Sequence, residues 1–205
     1  MMNIRKYIAK QFGKPTGIGG IVSTFIMNRI NQVQYKSVMN NLNCSQKDRI
    51  LDIGFGNGYL IKQLAKKKEG YFYGIEISND MLKNGCKRNS KLIKQGKVHL
   101  TKGNVMDIPF ENSFFDKIYT VNTIYFWENL DKSLSEIKRV LKPNGIFINV
   151  IYSKQWLDNI KYTQYGFSKY TPKELEEATL RNGLNVFQVI EIKKNISYCI
   201  ISRVN

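Results

Sequence analysis

The sequence predicts an α/β fold: a Rossmann-like, seven-stranded, mostly parallel sheet with helices on both faces and an antiparallel strand at one edge. Between residues 49 and 152, short apolar segments alternate with longer segments whose apolar residues recur at helical spacing. This alternation is typical of parallel strands joined by covering helices. After residue 183, two strand-like segments follow each other with only a tight break, which predicts the antiparallel edge.

Seven short segments carry the strand pattern. In chain order they are RILDI, YFYGIEI, KVHLT, FDKIYTV, GIFINVIY, NVFQVIEI and ISYCIISRV. Helices are predicted between them at 57–67, 78–93 and 131–142. A further helix is predicted to begin at Thr171, which with Glu174 forms a capping box around Pro172. Gly183 is a typical residue to end that helix.

The first 48 residues precede the predicted sheet. Residues 21–42 are predicted to be helical, and FGKPTGIGG at 12–20 is predicted to be a flexible or tightly turning loop. We interpret residues 1–205 as a single domain, with a helical N-terminal extension at 1–48 and a Rossmann-like core at 49–205. A chain of 205 residues can bury one sizeable core. The extension is expected to cover a sheet edge or to fold over a binding site.

The net charge of +16 bears on possible partners. A basic balance can indicate a nucleic-acid partner. Here, however, most of the cations are lysines scattered along the chain, and asparagine and isoleucine are abundant as well. We therefore interpret the charge as a compositional bias and expect no specific nucleic-acid partner.

Other bulk features exclude several classes of protein. No apolar run approaches the roughly 20 residues of a membrane-spanning helix, and the first residues lack the apolar core and cleavage site of a signal peptide. A cytoplasmic protein without a membrane span is expected. Cys44, Cys86 and Cys199 are far apart and odd in number, which predicts neither a disulfide framework nor a metal site.

The segment ILDIGFGNGYL at 50–60 is the most informative in the chain. An apolar strand that contains Asp52 runs into a turn with Gly54, Gly56 and Gly58. Ligands of open parallel sheets bind beyond the carboxyl ends of the strands. Glycine permits positive φ angles and lets the backbone approach a ligand closely. The segment therefore predicts a loop that wraps a ligand.

The glycine spacing narrows the class of ligand. It is G-x-G-x-G, whereas dinucleotide-binding loops follow G-x-G-x-x-G, and the Gly-Lys-Ser/Thr ending of a P-loop is absent. Asp52 would place a negative charge near the loop, which disfavours a pyrophosphate. It suits a ligand with a cationic amino or sulfonium group.

With its neighbours, this segment strongly resembles the class I S-adenosylmethionine-dependent methyltransferases over residues 49–150. ILDIGFGNG matches the first motif of that family, GIEIS at 74–78 the second, and GNVMDIPF at 103–110 the third, where Asn104 replaces the usual Asp. The later segments SFFDKIYTVNTIYFW and EIKRVLKPNGIF complete the pattern in order. The resemblance implies S-adenosylmethionine as the cofactor.

The resemblance also implies roles for single residues. Asp52 would face the amino group of the cofactor, and Glu76 would accept hydrogen bonds from both ribose hydroxyls, as a carboxylate can. Ile77 and Met81 would pack on the adenine, and Asn104 would accept a hydrogen bond from its amino group. The full set of implied cofactor-binding residues is Asp52, Gly54, Phe55, Gly56, Asn57, Gly58, Glu76, Ile77, Met81, Asn104, Val105, Met106 and Asn122.

The acceptor side is predicted after the fourth strand, in VNTIYFW. Methyl transfer from a sulfonium is an in-line displacement with a neutral leaving group, so positioning and exclusion of water can supply much of the rate. Candidate acceptor-side residues are Asn122, Tyr125, Trp127 and, from the extension, Tyr7. Residues 1–20 are predicted to order over the cofactor as a lid. Aromatic residues after the fifth strand are further candidates for the pocket wall: Trp156, Tyr162, Tyr165, Phe167 and Tyr170.

The absence of certain motifs narrows the possible classes of methyl acceptor. Amine methylases of nucleic acids carry a D/N-P-P-Y/F motif after the fourth strand, and this stretch has no proline. QFGKPTGIGG, MNRIN and VNTIYFW instead resemble bacterial small-molecule methyltransferases of the ubiquinone/menaquinone-biosynthesis-like branch. The favoured function is methyl transfer to a small molecule. An RNA- or protein-directed methyltransferase and a non-catalytic cofactor-binding protein are the alternatives.

Overall fold

The structure is a computed structural model that describes residues 4–13 and 16–204, with the backbone alone at residues 18 and 21–25. The strands that it describes form one sheet. They are β1 Arg49–Ile53, β2 Tyr71–Glu76, β3 Val98–Lys102, β4 Phe115–Val121, β5 Leu141–Tyr152, β6 Leu184–Lys193 and β7 Ser197–Val204.

The strand order is β3-β2-β1-β4-β5-β7-β6. Strands β1 to β5 are parallel, and β7 is antiparallel to both of its neighbours, β5 and the edge strand β6. The predicted fold class is confirmed. The order reverses between β1 and β4, so the carboxyl ends of these two strands form the point at which doubly wound sheets bind ligands.

The helices of the described residues lie around this sheet. They are α1 Ile4–Gly13, α2 Gly17–Ile30, α3 Gln32–Asn41, α4 Tyr59–Lys67, α5 Asn79–Lys94, α6 Leu130–Val140, α7 Lys154–Asp158 and α8 Pro172–Arg181. The predicted capping box of α8 is confirmed, since the Thr171 hydroxyl accepts from the Glu174 backbone and the Glu174 carboxylate accepts from the Thr171 backbone.

The prediction for α6 was wrong at its end. The helix ends at Val140, two residues before the predicted limit, and β5 begins at Leu141. The reason is Pro143, because a proline disfavours the helical conformation of the residue before it and pushes that residue toward an extended one.

The predictions for the extension were also wrong in detail. The helix predicted over 21–42 is two helices that break at Asn31. The predicted loop at 12–20 is mostly helical, since α1 runs to Gly13 and α2 begins at Gly17; residues 14 and 15 lie outside the described residues. Thr16, just before α2, has a φ of −139° and an extended backbone conformation. Glycine lowers helix propensity but does not prevent a helix that is packed against the rest of the protein.

Apolar side chains fill both faces of the sheet, because neighbouring residues of a strand point to opposite faces. On β4, Ile118 joins the cluster that contains Ile137 of α6. Its neighbour Tyr119 joins the cluster on the other face, with Val38 of α3 and Leu64 of α4. Burying each aliphatic side chain contributes about 1.5–3 kcal/mol. Although α3 lies within the predicted extension, it therefore belongs with the core.

No helix in the described ranges is long and apolar enough to cross a membrane. Within the same ranges, no group of three or more His, Cys, Asp or Glu residues is arranged to hold a metal ion.

Candidate cofactor and acceptor site

A cavity of about 830 Å³ lies at the carboxyl ends of β1, β2 and β4. One side of it is formed by the glycine loop after β1, the end of β2 and the loops after β3 and β4. The other side is formed by residues of α1 and α2. The volume is in the range of small-molecule and cofactor sites, and the position is the one that the strand order predicts.

The glycine loop adopts the conformation that its sequence requires. Gly54, Gly56 and Gly58 have φ angles of 73°, 56° and 70°, which confirms the predicted positive φ. At Gly54 a side chain is also excluded by space, because a Cβ atom there would lie 2.6 Å from Cγ2 of Thr123. The loop passes close beside the segment after β4, and its backbone faces the cavity.

Glu76 is held in place by this loop. Its Oε2 accepts a hydrogen bond from the Gly56 N–H and its Oε1 accepts one from the Ser78 N–H, both at 2.9 Å. The side chain is 6% exposed and lies on the cavity wall. Burial raises the pKa of the carboxyl, and the backbone N–H groups oppose that rise. The carboxylate thus has a fixed position at the end of β2.

Asp52 lies behind the loop rather than on the wall of the large cavity. It is 4% exposed, and its Oδ2 accepts a hydrogen bond from the Tyr119 hydroxyl at 2.8 Å. It borders a small cavity of about 30 Å³ that Asn28, Tyr35 and Tyr59 also line. That space can hold a water molecule or an ammonium group. Burial raises the pKa of Asp52 to about 8. The hydrogen bond from Tyr119 opposes this rise, and the negative charge of Glu76 adds to it.

Most of the residues predicted to surround an adenine lie on the cavity wall. Ile77, Asn104, Val105 and Met106 line the cavity, and the Ile77 side chain is 41% exposed. The Asn104 Oδ1 accepts from the Met106 N–H at 3.0 Å and keeps a second lone pair. Met81 is fully buried and is not among the wall residues.

Asn122 stands at the carboxyl end of β4 with a φ of 58°, a conformation that asparagine tolerates better than most residues. Its Nδ2 donates to Oδ1 of Asn31 at 3.1 Å, and its Oδ1 accepts from the Tyr125 hydroxyl at 3.0 Å. Asn122 and Trp127 line the cavity, whereas Tyr125 is buried behind them. Tyr125 is therefore placed to orient Asn122 rather than to contact a ligand.

The far end of the cavity is aromatic. Tyr7, Phe126, Trp127 and Tyr165 lie on its wall. The helix α1 closes this end, since Phe12 stacks on Tyr162 with ring centroids 5.0 Å apart. Other aromatic residues after β5 were also predicted to line the pocket. Phe167 packs against Phe12 and Phe126, and Trp156 and Tyr170 are not among the described residues of the wall.

The start of α2 ties the extension to the opposite side of the cavity. The Gly17 N–H donates to Oδ2 of Asp80, at the beginning of α5, at 3.0 Å. Together with the Phe12–Tyr162 stack, this bond makes α1 and α2 span the cavity from the segment after β5 to the segment after β2. Residues 1–3 and 14–15 of the predicted lid lie outside the described residues.

Sequence reasoning missed several wall residues of the extension, among them the polar residues Asn28, Asn31 and Tyr35. The Asn28 Nδ2 donates to Oδ1 of Asn57 in the glycine loop, at 3.3 Å, and the Tyr35 hydroxyl donates to Oδ1 of Asn28 at 3.0 Å. No motif marks these residues. The sequence feature that could have indicated them is the recurrence of polar residues along an otherwise apolar helical segment.

A family profile described as a methyltransferase domain matches residues 51–149. An uncharacterized methyltransferase of Bacillus subtilis, YdaC, is 34% identical over 126 residues, which are 61% of this chain and 67% of YdaC. The chain belongs to the S-adenosylmethionine-dependent methyltransferases. The members of this family are enzymes that use S-adenosylmethionine as cofactor, so the resemblance drawn from the motifs is confirmed.

Two further comparisons extend this assignment. The demethylmenaquinone methyltransferase of Symbiobacterium thermophilum is 33% identical over 125 residues, 60% of this chain, and the chain spans about half (49%) of that relative. The crystal structure of a SAM-dependent methyltransferase from Aquifex aeolicus has a TM-score of 0.74 at 20% identity and covers 98% of each chain. The latter supports the whole fold, extension included.

The site of this methyltransferase fits its cofactor on structural grounds. Gly54 lies on the cavity wall, and the packing of Thr123 against it leaves no room for a side chain there. The Glu76 carboxylate is fixed at the end of β2, and a buried acid, Asp52, borders a space of the size of an ammonium group. Each of these features agrees with the role implied by the motifs, and the individual contacts to the cofactor stay predictions.

Proposed function

We propose that the chain transfers the methyl group of S-adenosylmethionine to a small-molecule acceptor bound beneath α1. The observation that carries the proposal is the shape of the cavity. It continues from the glycine loop and Glu76 to the aromatic end at Phe126 and Trp127, where α1 covers it. A covered cavity admits a small molecule, whereas a nucleic acid or a protein substrate needs an open surface.

In the proposed reaction, the bound cofactor supplies an electrophilic methyl group on its sulfonium. The chain holds and shields that group. The glycine loop and Glu76 fix one end of the cofactor, and Asp52 balances the charge of its amino group. Trp127 and Phe126 confine the acceptor opposite the methyl group, and α1 excludes water during the displacement. These effects of position and of exclusion of water can supply much of the rate in such a transfer.

The similarity to a demethylmenaquinone methyltransferase supports a small-molecule acceptor, since that relative is named for a quinone rather than for a nucleic acid or a protein. The aromatic wall is suited to a flat or apolar acceptor body, because aromatic side chains offer a large apolar contact area.

The proposal is tested by offering the protein two fractions of a cell extract, one that passes a small-molecule filter and one that is retained. With S-adenosylmethionine added, release of S-adenosylhomocysteine is measured by mass spectrometry. We expect release with the filtrate, and we expect it to persist after nuclease and protease treatment. Release with only the retained RNA or protein fraction would contradict the proposal. No release with either fraction, despite tight cofactor binding, would favour a non-catalytic binding protein.

A further inference from the structure

Few charged side chains line the cavity in the part of the chain that the structure describes, and they divide into two groups. Glu76 belongs to the cofactor half, where backbone N–H groups hold it. The aromatic half carries Lys6, Lys10 and Glu128. Counted over the described residues, the net charge of this half is therefore +1, from two cations and one anion. The opposite wall there is apolar, formed by rings such as Phe126 and Trp127.

Lys6 and Lys10 are four residues apart on α1, so they lie on the same face of the helix one turn apart. Both are exposed and line the cavity, which places them at its rim. Among the described residues, neither has a carboxylate within 4 Å of its amino group. Two unpaired ammonium groups at the edge of an aromatic pocket are suited to an anion.

We propose that the methyl acceptor is an amphipathic anion, with an apolar body against Phe126 and Trp127 and an acidic group held at the rim by Lys6 and Lys10. This proposal rests on the proposed function and narrows its substrate class. A neutral quinone-like acceptor would use the rings but not the lysines. The acid is held on α1, so binding of the acceptor also holds α1 in its covering position.

The burial of α1 explains why both lysines face the rim. Ala9 and Gln11 are each 4% exposed, and Phe12 stacks on Tyr162, so one side of the helix is fixed to the rest of the protein. The rotation of the helix is then determined. As long as α1 keeps these contacts, Lys6 and Lys10 remain on the part of the helix that lines the cavity.

The test uses two fluorescent probes that share a ring system and differ in charge. They are 8-anilino-1-naphthalenesulfonate, an anion, and N-phenyl-1-naphthylamine, which is neutral. Each is titrated into the full chain saturated with S-adenosylhomocysteine, so that the cofactor half is filled. We compare wild type, the double variant Lys6→Ala/Lys10→Ala, and a matched control, Lys87→Ala/Lys91→Ala. The control pair is also exposed and four residues apart on a helix, α5, and is absent from the described cavity wall.

The anionic probe is expected to bind wild type more tightly than the neutral one. Its affinity should fall about fivefold for each lysine removed from α1, or about 25-fold for the pair, since two opposite charges 4 Å apart in water interact by about 1 kcal/mol. The neutral probe should be unaffected, and the control variant should bind both probes as wild type does. Added salt should weaken the anionic probe alone.

Three results would overturn this inference. One is equal weakening of the anionic probe in the α1 variant and the control, which would show an effect of total charge. Another is an unchanged affinity in the α1 variant. The third is a tenfold loss of S-adenosylhomocysteine binding in the α1 variant, measured by calorimetry, because the lysines would then serve the cofactor. Release of S-adenosylhomocysteine with cell filtrate is measured separately, so failure of the general function is distinguishable from failure of the anion proposal.

Discussion

Replacing Glu76 by glutamine tests how the end of β2 holds the cofactor. The two carboxylate oxygens each accept a backbone N–H, from Gly56 and from Ser78. A glutamine of nearly the same shape must turn its NH2 group toward one of these donors, because an amide has only one acceptor oxygen. One hydrogen bond to a charged acceptor is therefore lost, and two donors then face each other.

The magnitude of the effect on cofactor binding follows from the predicted hydrogen bonds between the ribose hydroxyls and the charged carboxylate, which a neutral amide with one acceptor oxygen cannot replace in full. A hydrogen bond to a charged group contributes about 1.5–3 kcal/mol, which is about ten- to hundredfold in a binding constant. We expect the Kd for S-adenosylhomocysteine to rise by at least tenfold. The melting temperature without ligand should change less, because burial raises the pKa of Glu76 and a neutral amide avoids part of that cost of burying a charge.

The assay is isothermal titration calorimetry at pH 7.5, with thermal melting as a check on folding. Glu111→Gln is the matched control, since Glu111 is exposed and is not among the residues of the described cavity wall. An unchanged Kd in Glu76→Gln, with the control also unchanged, would refute the assignment of Glu76 to the cofactor.

Three further predictions concern the acid, the loop and the extension. Because the pKa of Asp52 is raised to about 8, the carboxyl is protonated in the free protein at lower pH, whereas the ammonium group of the cofactor favours its ionised form. The affinity for S-adenosylhomocysteine measured by calorimetry should therefore fall by up to tenfold for each pH unit below about 8, and Asp52→Asn should remove this dependence. Gly54→Ala should abolish cofactor binding, because its Cβ would lie 2.6 Å from Thr123. The control is Gly96→Ala, at a similar φ of 69° but with no atom within 4 Å of the added Cβ, which should lower the melting temperature and leave binding intact. Equal binding by the two variants would contradict the steric argument. Deleting residues 1–13 should leave the sheet folded, as measured by circular dichroism, and should lower turnover more than stability. In the full chain, α1 should gain hydrogen-exchange protection when S-adenosylhomocysteine binds. Equal protection with and without ligand would mean that α1 is a fixed cover.

The parts of the fold that could be predicted are those set by local chemistry. The alternation of apolar segments determines which elements are strands and which are helices, and it placed every strand of the described sheet near its observed position. The capping box at Thr171 and Glu174 is contained within four residues, so no tertiary contact was needed to predict it. The glycine loop is similar, because the positive φ angles at Gly54, Gly56 and Gly58 are a property of the turn itself.

The parts that could not be predicted depend on residues far apart in the chain. Asn31 meets Asn122 across 91 positions, and Gly17 meets Asp80 across 63. Nothing in the local sequence marks either pair. The helix α1 ends in a segment rich in glycine, which locally favours a loop, and its packing of Phe12 on Tyr162 is a tertiary contact. The family resemblance implies an adenine contact for Met81, yet the packing of α5 buries this residue completely.

The most direct test of the central claim is to follow the methyl group itself. The protein is incubated with S-adenosylmethionine that carries a trideuterated methyl group and with the small-molecule filtrate of a cell extract, and all low-mass compounds are compared by mass spectrometry. We predict that one compound gains the intact labelled methyl group with wild type, and that Gly54→Ala yields no such product. Label that accumulates in RNA or protein, with no labelled small molecule, would contradict the claim that the covered cavity beneath α1 is the site of the reaction.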